Sequence, residues 1–282
     1  MKFVKMHGLG NDFILVEDLE EKIELSVSAI KKLCHRNFGI GADGLVLLQP
    51  SSRGDFRMRI FNHDGTEAEM CGNALRCVAR YVYEKGLTGR LEVCIETMKG
   101  LNKAKIFLQD NRVNNIQINM GEPVLESTLI PAKGESRLIL MEELVLKNGL
   151  SFKISALSMG NPHCVIFVED CEKMPLRDIG PQIENHPLFP QKTNVELVEI
   201  FNEKEIKMTV WERGAGETLA CGSGACASVV ACVLNNLTQR KVTVNLPGGQ
   251  LEVCWDEKDN GLIIKGPAVE VFSGVIPDEF DL

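Results

Sequence analysis

Apolar and polar residues alternate through Phe56, Met58 and Ile60, and again through Ile206, Met208 and Val210. That is the two-residue period of a half-buried strand. Beyond Cys71 the period lengthens. Leu75, Val78, Ala79 and Val82 fall at i, i+3, i+4 and i+7, which predicts a helix that Lys85-Gly86 stops. Beyond Cys221 the run from Ala225 to Leu234 is almost wholly apolar, which predicts a helix buried on all sides and ended at Asn235-Asn236. LEVCIE, KAKIFL, NIQINM, VTVNLP, LEVCW and GLIIKG read as further strands, and the Gly, Asn and Asp residues between them favour antiparallel connections.

The pattern occurs twice. A displacement of 150 residues aligns the two halves without a gap: Gly10 falls on Gly160, Asn11 on Asn161 and Gly44 on Asn194. FRMRIF from Phe56 falls on IKMTVW from Ile206, and Asn62, His63 and Glu67 fall on Glu212, Arg213 and Glu217. CGNA from Cys71 falls on CGSG from Cys221. Several matches at one offset imply two copies of one fold unit, with a period too long for a solenoid. The expected fold is α+β: two pseudo-symmetric lobes, each a mainly antiparallel sheet wrapped around one central helix. The stretch GEPVLESTLIPAKGES, residues 121–136, is the best candidate for the join.

The chain has 282 residues, 44% of them hydrophobic and 25% charged, an ordinary globular balance. Its net charge of −8, without a Lys/Arg cluster, argues against a nucleic-acid partner. MKFVKMHGLGNDF has no apolar signal core, and no apolar run approaches the roughly 18 residues of a membrane helix. A cytoplasmic enzyme with no membrane contact is therefore expected. The ten cysteines include no CxxC pair, so neither a disulfide framework nor a zinc site is expected, and most read as core filling.

Cys71 and Cys221 differ from the rest because each sits where a strand pattern gives way to a helix pattern. Unpaired N–H groups and the helix dipole at such an end favour negative charge, so a lowered thiol pKa is expected there. Gly72 and Gly222 would let a carboxylate reach those N–H groups, and Asn73 and Ser223 would add donors. Two lobes facing across a cleft would set two thiols on opposite sides of one ligand. One thiolate would then take a proton from a carbon while the other thiol delivers one to the opposite face, and the helix N-termini would stabilise the enolate-like charge. Asn11, Asn62, Asn161 and Asn194 occur in short turns, where asparagine commonly serves the turn itself. Arg213 can grip a carboxylate and Glu212 an ammonium group, although the two could equally form a solvated pair. His163, in GNPHC, is the histidine placed near the site.

KMHGLGNDF, IFNHDGTEAEMCGNALRC, SMGNPHCV and ERGAGETLACGSGACA closely resemble the diaminopimelate epimerase family, from Met1 to Val271. The resemblance implies an amino-acid epimerase that uses no pyridoxal phosphate, other cofactor or metal. It would interconvert LL- and meso-2,6-diaminopimelate in lysine biosynthesis, as a homodimer. It also implies lobes of residues 1–118, completed by 268–282, and 119–267, with the active site in the cleft between them. Carried over by position, the proton donor and acceptor are Cys71 and Cys221, assisted by His163 and Glu212. The substrate contacts are Asn11, Asn62, Gly72, Asn73, Asn161, Asn194, Glu212, Arg213, Gly222 and Ser223. Some members carry Gln where this chain has Gly44. Two facing thiols would also make the ligand-free protein sensitive to oxidation, through a Cys71–Cys221 disulfide. A proline-type racemase, a hydrolase using Cys221 with His163, and a non-catalytic amino-acid-binding protein are the competing readings.

Overall fold

A computed structural model describes residues 1–277. The chain folds as two units, Met1–Asn119 together with the segment that starts at Lys265, and Met120–Ile264. Residues 278–282, which the sequence reading assigns to the first lobe, lie outside the described residues. The first unit holds β1 (Lys2–Gly8), β2 (Asn11–Glu17), α1 (Val27–Cys34), β3 (Gly44–Gln49), β4 (Phe56–Asn62), β5 (Glu67–Ala68), α2 (Gly72–Glu84), β6 (Glu92–Thr97), β7 (Gly100–Gln109) and most of β8 (Arg112–Gly121). The second holds β9 (Ile139–Val145), β10 (Ser151–Ser158), β11 (Pro162–Val168), α3 (Leu176–Glu184), β12 (Asn194–Asn202), β13 (Glu205–Glu212), β14 (Gly216–Thr218), α4 (Gly222–Leu234), β15 (Lys241–Leu246) and β16 (Gly249–Trp255). The chain returns to the first unit within β17 (Leu262–Gly266), and β18 (Val269–Val275) pairs antiparallel with β1. In the second unit β9 pairs in the same way with β10.

The repeat persists in strand register. Phe13 faces Gly44 across the β2–β3 pair, as His163 faces Asn194 across β11–β12. Leu45 faces Phe61 as Val195 faces Trp211, and Ile60 faces Ala68 as Val210 faces Thr218. A one-residue slip would turn every side chain to the other face, so positions 150 residues apart on these strands share an environment. Gly10 (φ 86°) and Gly160 (φ 95°) supply equivalent left-handed turns directly before Asn11 and Asn161.

Both central helices match their patterns. Leu75, Val78, Ala79 and Val82 are fully buried, and α2 packs against β1, β2, β4, β7 and β18. In α4 every residue from Gly224 to Cys232 is buried, against β10 to β13 and β16. Each large apolar side chain so buried contributes about 1.5–3 kcal/mol. Cys34, Cys77, Cys164, Cys171, Cys226 and Cys232 fill core space.

Two features depart from the sequence reading. Each unit contains a second helix: Ser26 Oγ caps α1 by accepting the Ala29 N–H, and α3 buries Ile179 and Ile183 despite Pro181 within it. The sheets also include parallel pairs, β2–β3 and β4–β6 in the first unit and β11–β12 and β13–β15 in the second. A parallel pair needs a crossover, and α1, α2, α3 and α4 lie in these four connections. Among the described residues no helix is long and apolar enough to cross a membrane.

Candidate active site

Cys71 and Cys221 are the N-cap residues of α2 and α4. Each has extended backbone angles, and each carbonyl accepts the first helical N–H bond, from Leu75 at 2.9 Å and from Ala225 at 3.0 Å. The Cys221 sulfur also accepts the Gly224 N–H at 3.4 Å, so it lies on the open end of its helix.

In the first unit Asn11 organises the surroundings of Cys71. Its Oδ1 accepts from Asn73 Nδ2 at 3.0 Å and lies 3.8 Å from Cys71 Sγ. Its Nδ2 donates to Asp43 Oδ2 at 2.8 Å. Arg36 bridges Asp12 and Asp43, and Lys5 pairs with Asp12 at 2.7 Å. Burial would raise the Asp12 pKa, but hydrogen bonds from Arg36 and Lys5 hold it at about 2. Behind Asn73 the buried Arg76 donates to Asn73 Oδ1 at 2.8 Å and to the Pro267 carbonyl at 3.1 Å.

In the second unit Asn161 and Ser223 repeat the Asn11–Asn73 arrangement, with Asn161 Nδ2 donating to Ser223 Oγ at 3.4 Å. Ser223 Oγ lies 3.5 Å from Cys221 Sγ. Asn161 Oδ1 faces His163 Nε2 at 3.0 Å, and His163 Nδ1 faces Glu196 Oε1 at 2.6 Å. His163 and Glu196 are both 0% exposed. Glu212 accepts from Thr218 Oγ1 at 2.5 Å and lies beside the Cys221 thiol, whose ionisation it opposes.

The lowered thiol pKa expected at a helix N-terminus does not hold for Cys221. Burial, with the charges of Glu212 and Glu196 beside it, pushes the thiol well above its ordinary range, and the Ser223 and Gly224 hydrogen bonds only partly oppose this. Burial likewise raises the Glu212 carboxyl, against bonds from Thr218 and Cys221. Burial and the two carboxylates thus favour the protonated thiol at Cys221.

The other expected residues are placed more loosely. Asn62 is exposed in the β4–β5 turn and donates to Thr66 Oγ1. Arg213 is exposed, with Nη1 on the Gln191 carbonyl at 3.1 Å. Asn194 is buried and uses both ends of its amide, on the Pro162 carbonyl and the Arg213 N–H, which ties β11 to the β13–β14 turn. Gly72 and Gly222 are buried at the first helical positions. A Cβ at Gly44 would lie 2.6 Å from the Phe61 carbonyl oxygen, so this backbone excludes a side chain there. The sequence reading missed Glu196, Asp43 and Arg36. The first stands out only when NVELVEI is set against GLVLLQ at the repeat offset, where Val46 occupies the equivalent position. Among the described residues no three His, Cys, Asp or Glu side chains cluster so as to hold a metal.

A family model described as diaminopimelate epimerase matches residues 3–126 and 155–271. The chain is 51% identical over 278 residues to a diaminopimelate epimerase of Moorella thermoacetica, covering 98% of this chain and 99% of that one. It is 49% identical over 276 residues to one from Methanococcus maripaludis, covering 98% and 99%. Among solved structures, a hydroxyproline epimerase from Agrobacterium vitis shares the fold with a TM-score of 0.73 at 14% identity, covering 97% of this chain and 90% of that one. A PhzF-family phenazine biosynthesis protein from Bacillus anthracis does so with a TM-score of 0.69 at 18% identity, covering 98% and 99%.

Proposed function

The chain belongs to the diaminopimelate epimerase family, and from that premise we propose that it interconverts LL- and meso-2,6-diaminopimelate, a step of lysine biosynthesis through diaminopimelate, with Cys71 and Cys221 as the two bases. The observation that carries the reading is the repeat-equivalent placement of the thiols, each an N-cap with an asparagine and a short polar side chain beside it.

One cysteine thiolate takes the α-proton, and the other thiol gives its proton to the opposite face of the resulting carbanion. The α-carbon is inverted, and each sulfur ends in the protonation state the other began in. Charge that develops on the substrate α-carboxylate is met by N–H groups at Gly72, Asn73, Gly222 and Ser223, where the helices have no internal partners. Which thiol donates depends on the stereoisomer bound, and Glu212, beside Cys221, takes part in that thiol's proton exchange. Asn62, Asn161, Asn194, Glu212 and Arg213 recognise the distal amino acid, with the Arg213 guanidinium suited to its carboxylate and Glu212 to its ammonium group. The thiol pair supplies both proton steps, so the proposed reaction calls on no cofactor. His163 has its ring nitrogens facing Glu196 and Asn161, which speaks against a Cys221–His163 hydrolase. We extend the reading to a homodimer in the cytoplasm, a reducing compartment that suits ten unbridged thiols.

Incubation of each pure stereoisomer in heavy water tests the proposal. Deuterium should enter one α-carbon without added pyridoxal phosphate or metal. A folded sample that exchanges no α-hydrogen rules the reading out.

A further inference from the structure

Three of the core positions that differ between the two units belong together. The first unit has Phe13, Val46 and Ala74, all buried and apolar. At the same places, 150 residues on, the second has His163, Glu196 and Gly224. The strand registers agree, so these side chains occupy one environment in each unit. The three changes fit one another. A Cβ at position 224 would come 2.8 Å from Glu196 Oε1, so the methyl group that Ala74 carries is missing where the carboxylate needs room.

A buried carboxylate is costly unless it is paired and hydrogen-bonded. Glu196 has His163 Nδ1 at 2.6 Å on one oxygen, while its other oxygen, Oε2, is buried with no hydrogen-bond partner among the described residues. An apolar pair fills the same space in the first unit, so packing does not call for the charge. From Glu196 the contacts run on through His163 Nε2 to Asn161 Oδ1, from Asn161 Nδ2 to Ser223 Oγ, and from Ser223 Oγ to Cys221 Sγ. The titratable groups coupled to the pair on its own face of the sheet are Glu212 on β13 and Cys221 at the head of α4, while Cys164, next along β11, lies in the core on the other face. From β10, Leu157 stands opposite His163.

We infer that Glu196 is the positioning residue of His163: its carboxylate accepts the Nδ1–H and so aims the Nε2–H at Asn161 Oδ1, which sets the amide that holds Ser223 beside Cys221. The first unit reaches the same end differently, with Asp43 bound directly to the Asn11 amide. The role of Glu196 in turnover rests on the epimerase reading. The bond itself does not, and the two are tested separately.

Ring-nitrogen NMR on ligand-free protein labelled with 15N-histidine reads the bond whether or not the protein turns over diaminopimelate. In the wild type, His163 Nδ1 should carry a slowly exchanging, downfield proton, which Glu196→Val should abolish. A His163 Nδ1 without a proton overturns the inference. In turnover, Glu196→Val should lower kcat roughly tenfold or more with KM nearly unchanged, and Glu196→Gln, which keeps an acceptor oxygen, should lie between. His163→Phe combined with Glu196→Val installs the first unit's own pair. It should fold and be no slower than His163→Phe alone, because residues acting through one another are not additive. An unchanged kcat in Glu196→Val, or an equal loss in both backgrounds, refutes the positioning role. Wild-type protein that exchanges no α-hydrogen would sink the epimerase reading and with it the turnover role, while the NMR result still decides the bond.

Discussion

Gly224 lies so close to Glu196 that a methyl group at position 224 would come within 2.8 Å of the carboxylate oxygen Oε1. Gly→Ala inside a helix ordinarily gains up to about 1 kcal/mol. Here the sign should reverse. Gly224→Ala forces a buried carboxylate to move and should cost about 1–3 kcal/mol, the usual range for overpacking. Ala74→Gly at the equivalent place in α2 should cost the intrinsic ~0.5–1 kcal/mol and about 0.8 kcal/mol more for the buried methyl it removes. Urea melts of the two variants check this, and a stabilised Gly224→Ala would show that the carboxylate has free space.

Asn11 depends on Asp43 in the way that Asn161 depends on His163. With the Asp43 carboxylate removed, Asn11 Nδ2 loses its 2.8 Å acceptor and the amide can rotate away from Asn73 and Cys71. Asp43→Ala should therefore lower kcat by about tenfold, the order of magnitude of one lost charge-assisted bond of 1.5 kcal/mol or so. Arg36→Ala should cost less, because Arg36 is exposed and acts only through Asp12 and Asp43. Steady-state kinetics on both variants would separate them.

Much of this arrangement was legible in the chain. The i, i+3, i+4, i+7 spacing from Leu75 located α2, the apolar run from Ala225 located α4, and the 150-residue offset paired Cys71 with Cys221. The asparagines at 11 and 161 came with that offset, and the structure sets each beside its helix N-terminus. The short α1 and α3 escaped because eight or nine residues hold barely two turns of pattern, and Pro181 interrupts the second. The parallel pairs escaped because local periodicity does not encode which strand a crossover reaches. Glu196 escaped because a lone acid in a strand reads as facing solvent, and only its burial against α4 shows otherwise. The raised Cys221 thiol has the same origin, since burial outweighs a helix end that favours the thiolate.

The thiol of Cys221 should be sluggish in the ligand-free protein. It is buried, and burial together with Glu212 and Glu196 opposes its ionisation. Iodoacetamide reacts with the thiolate, so Cys221 should label slowly at pH 8 and faster only as the pH climbs well beyond the ordinary thiol range. Glu212→Gln removes one opposing charge and should speed the labelling at a given pH. Site-by-site mass spectrometry of alkylated peptides reads both effects. In turnover, Cys71→Ala and Cys221→Ala should each abolish interconversion with the fold intact, and near-normal turnover in either would refute the two-base assignment.

Acid should weaken the first unit through Asp12. Its carboxyl sits at about 2 in the fold against an ordinary 3.8, because Arg36 and Lys5 outweigh the burial that would raise it. Between those two values the unfolded chain binds the proton and the folded chain does not, so folding grows less favourable as the pH falls. The contribution of Asp12 is complete above 3.8, declines below it, and is lost as the pH passes through about 2. Lys5 stays behind as a buried cation when the carboxylate is neutralised, which adds to the loss. Urea midpoints measured from pH 5 down to the acid limit should fall more steeply for the wild type than for Asp12→Asn, which lacks the titrating group. The two curves should converge at the acid end, where Asp12 is protonated. Parallel curves across the whole range would mean that Asp12 is not held below its ordinary value.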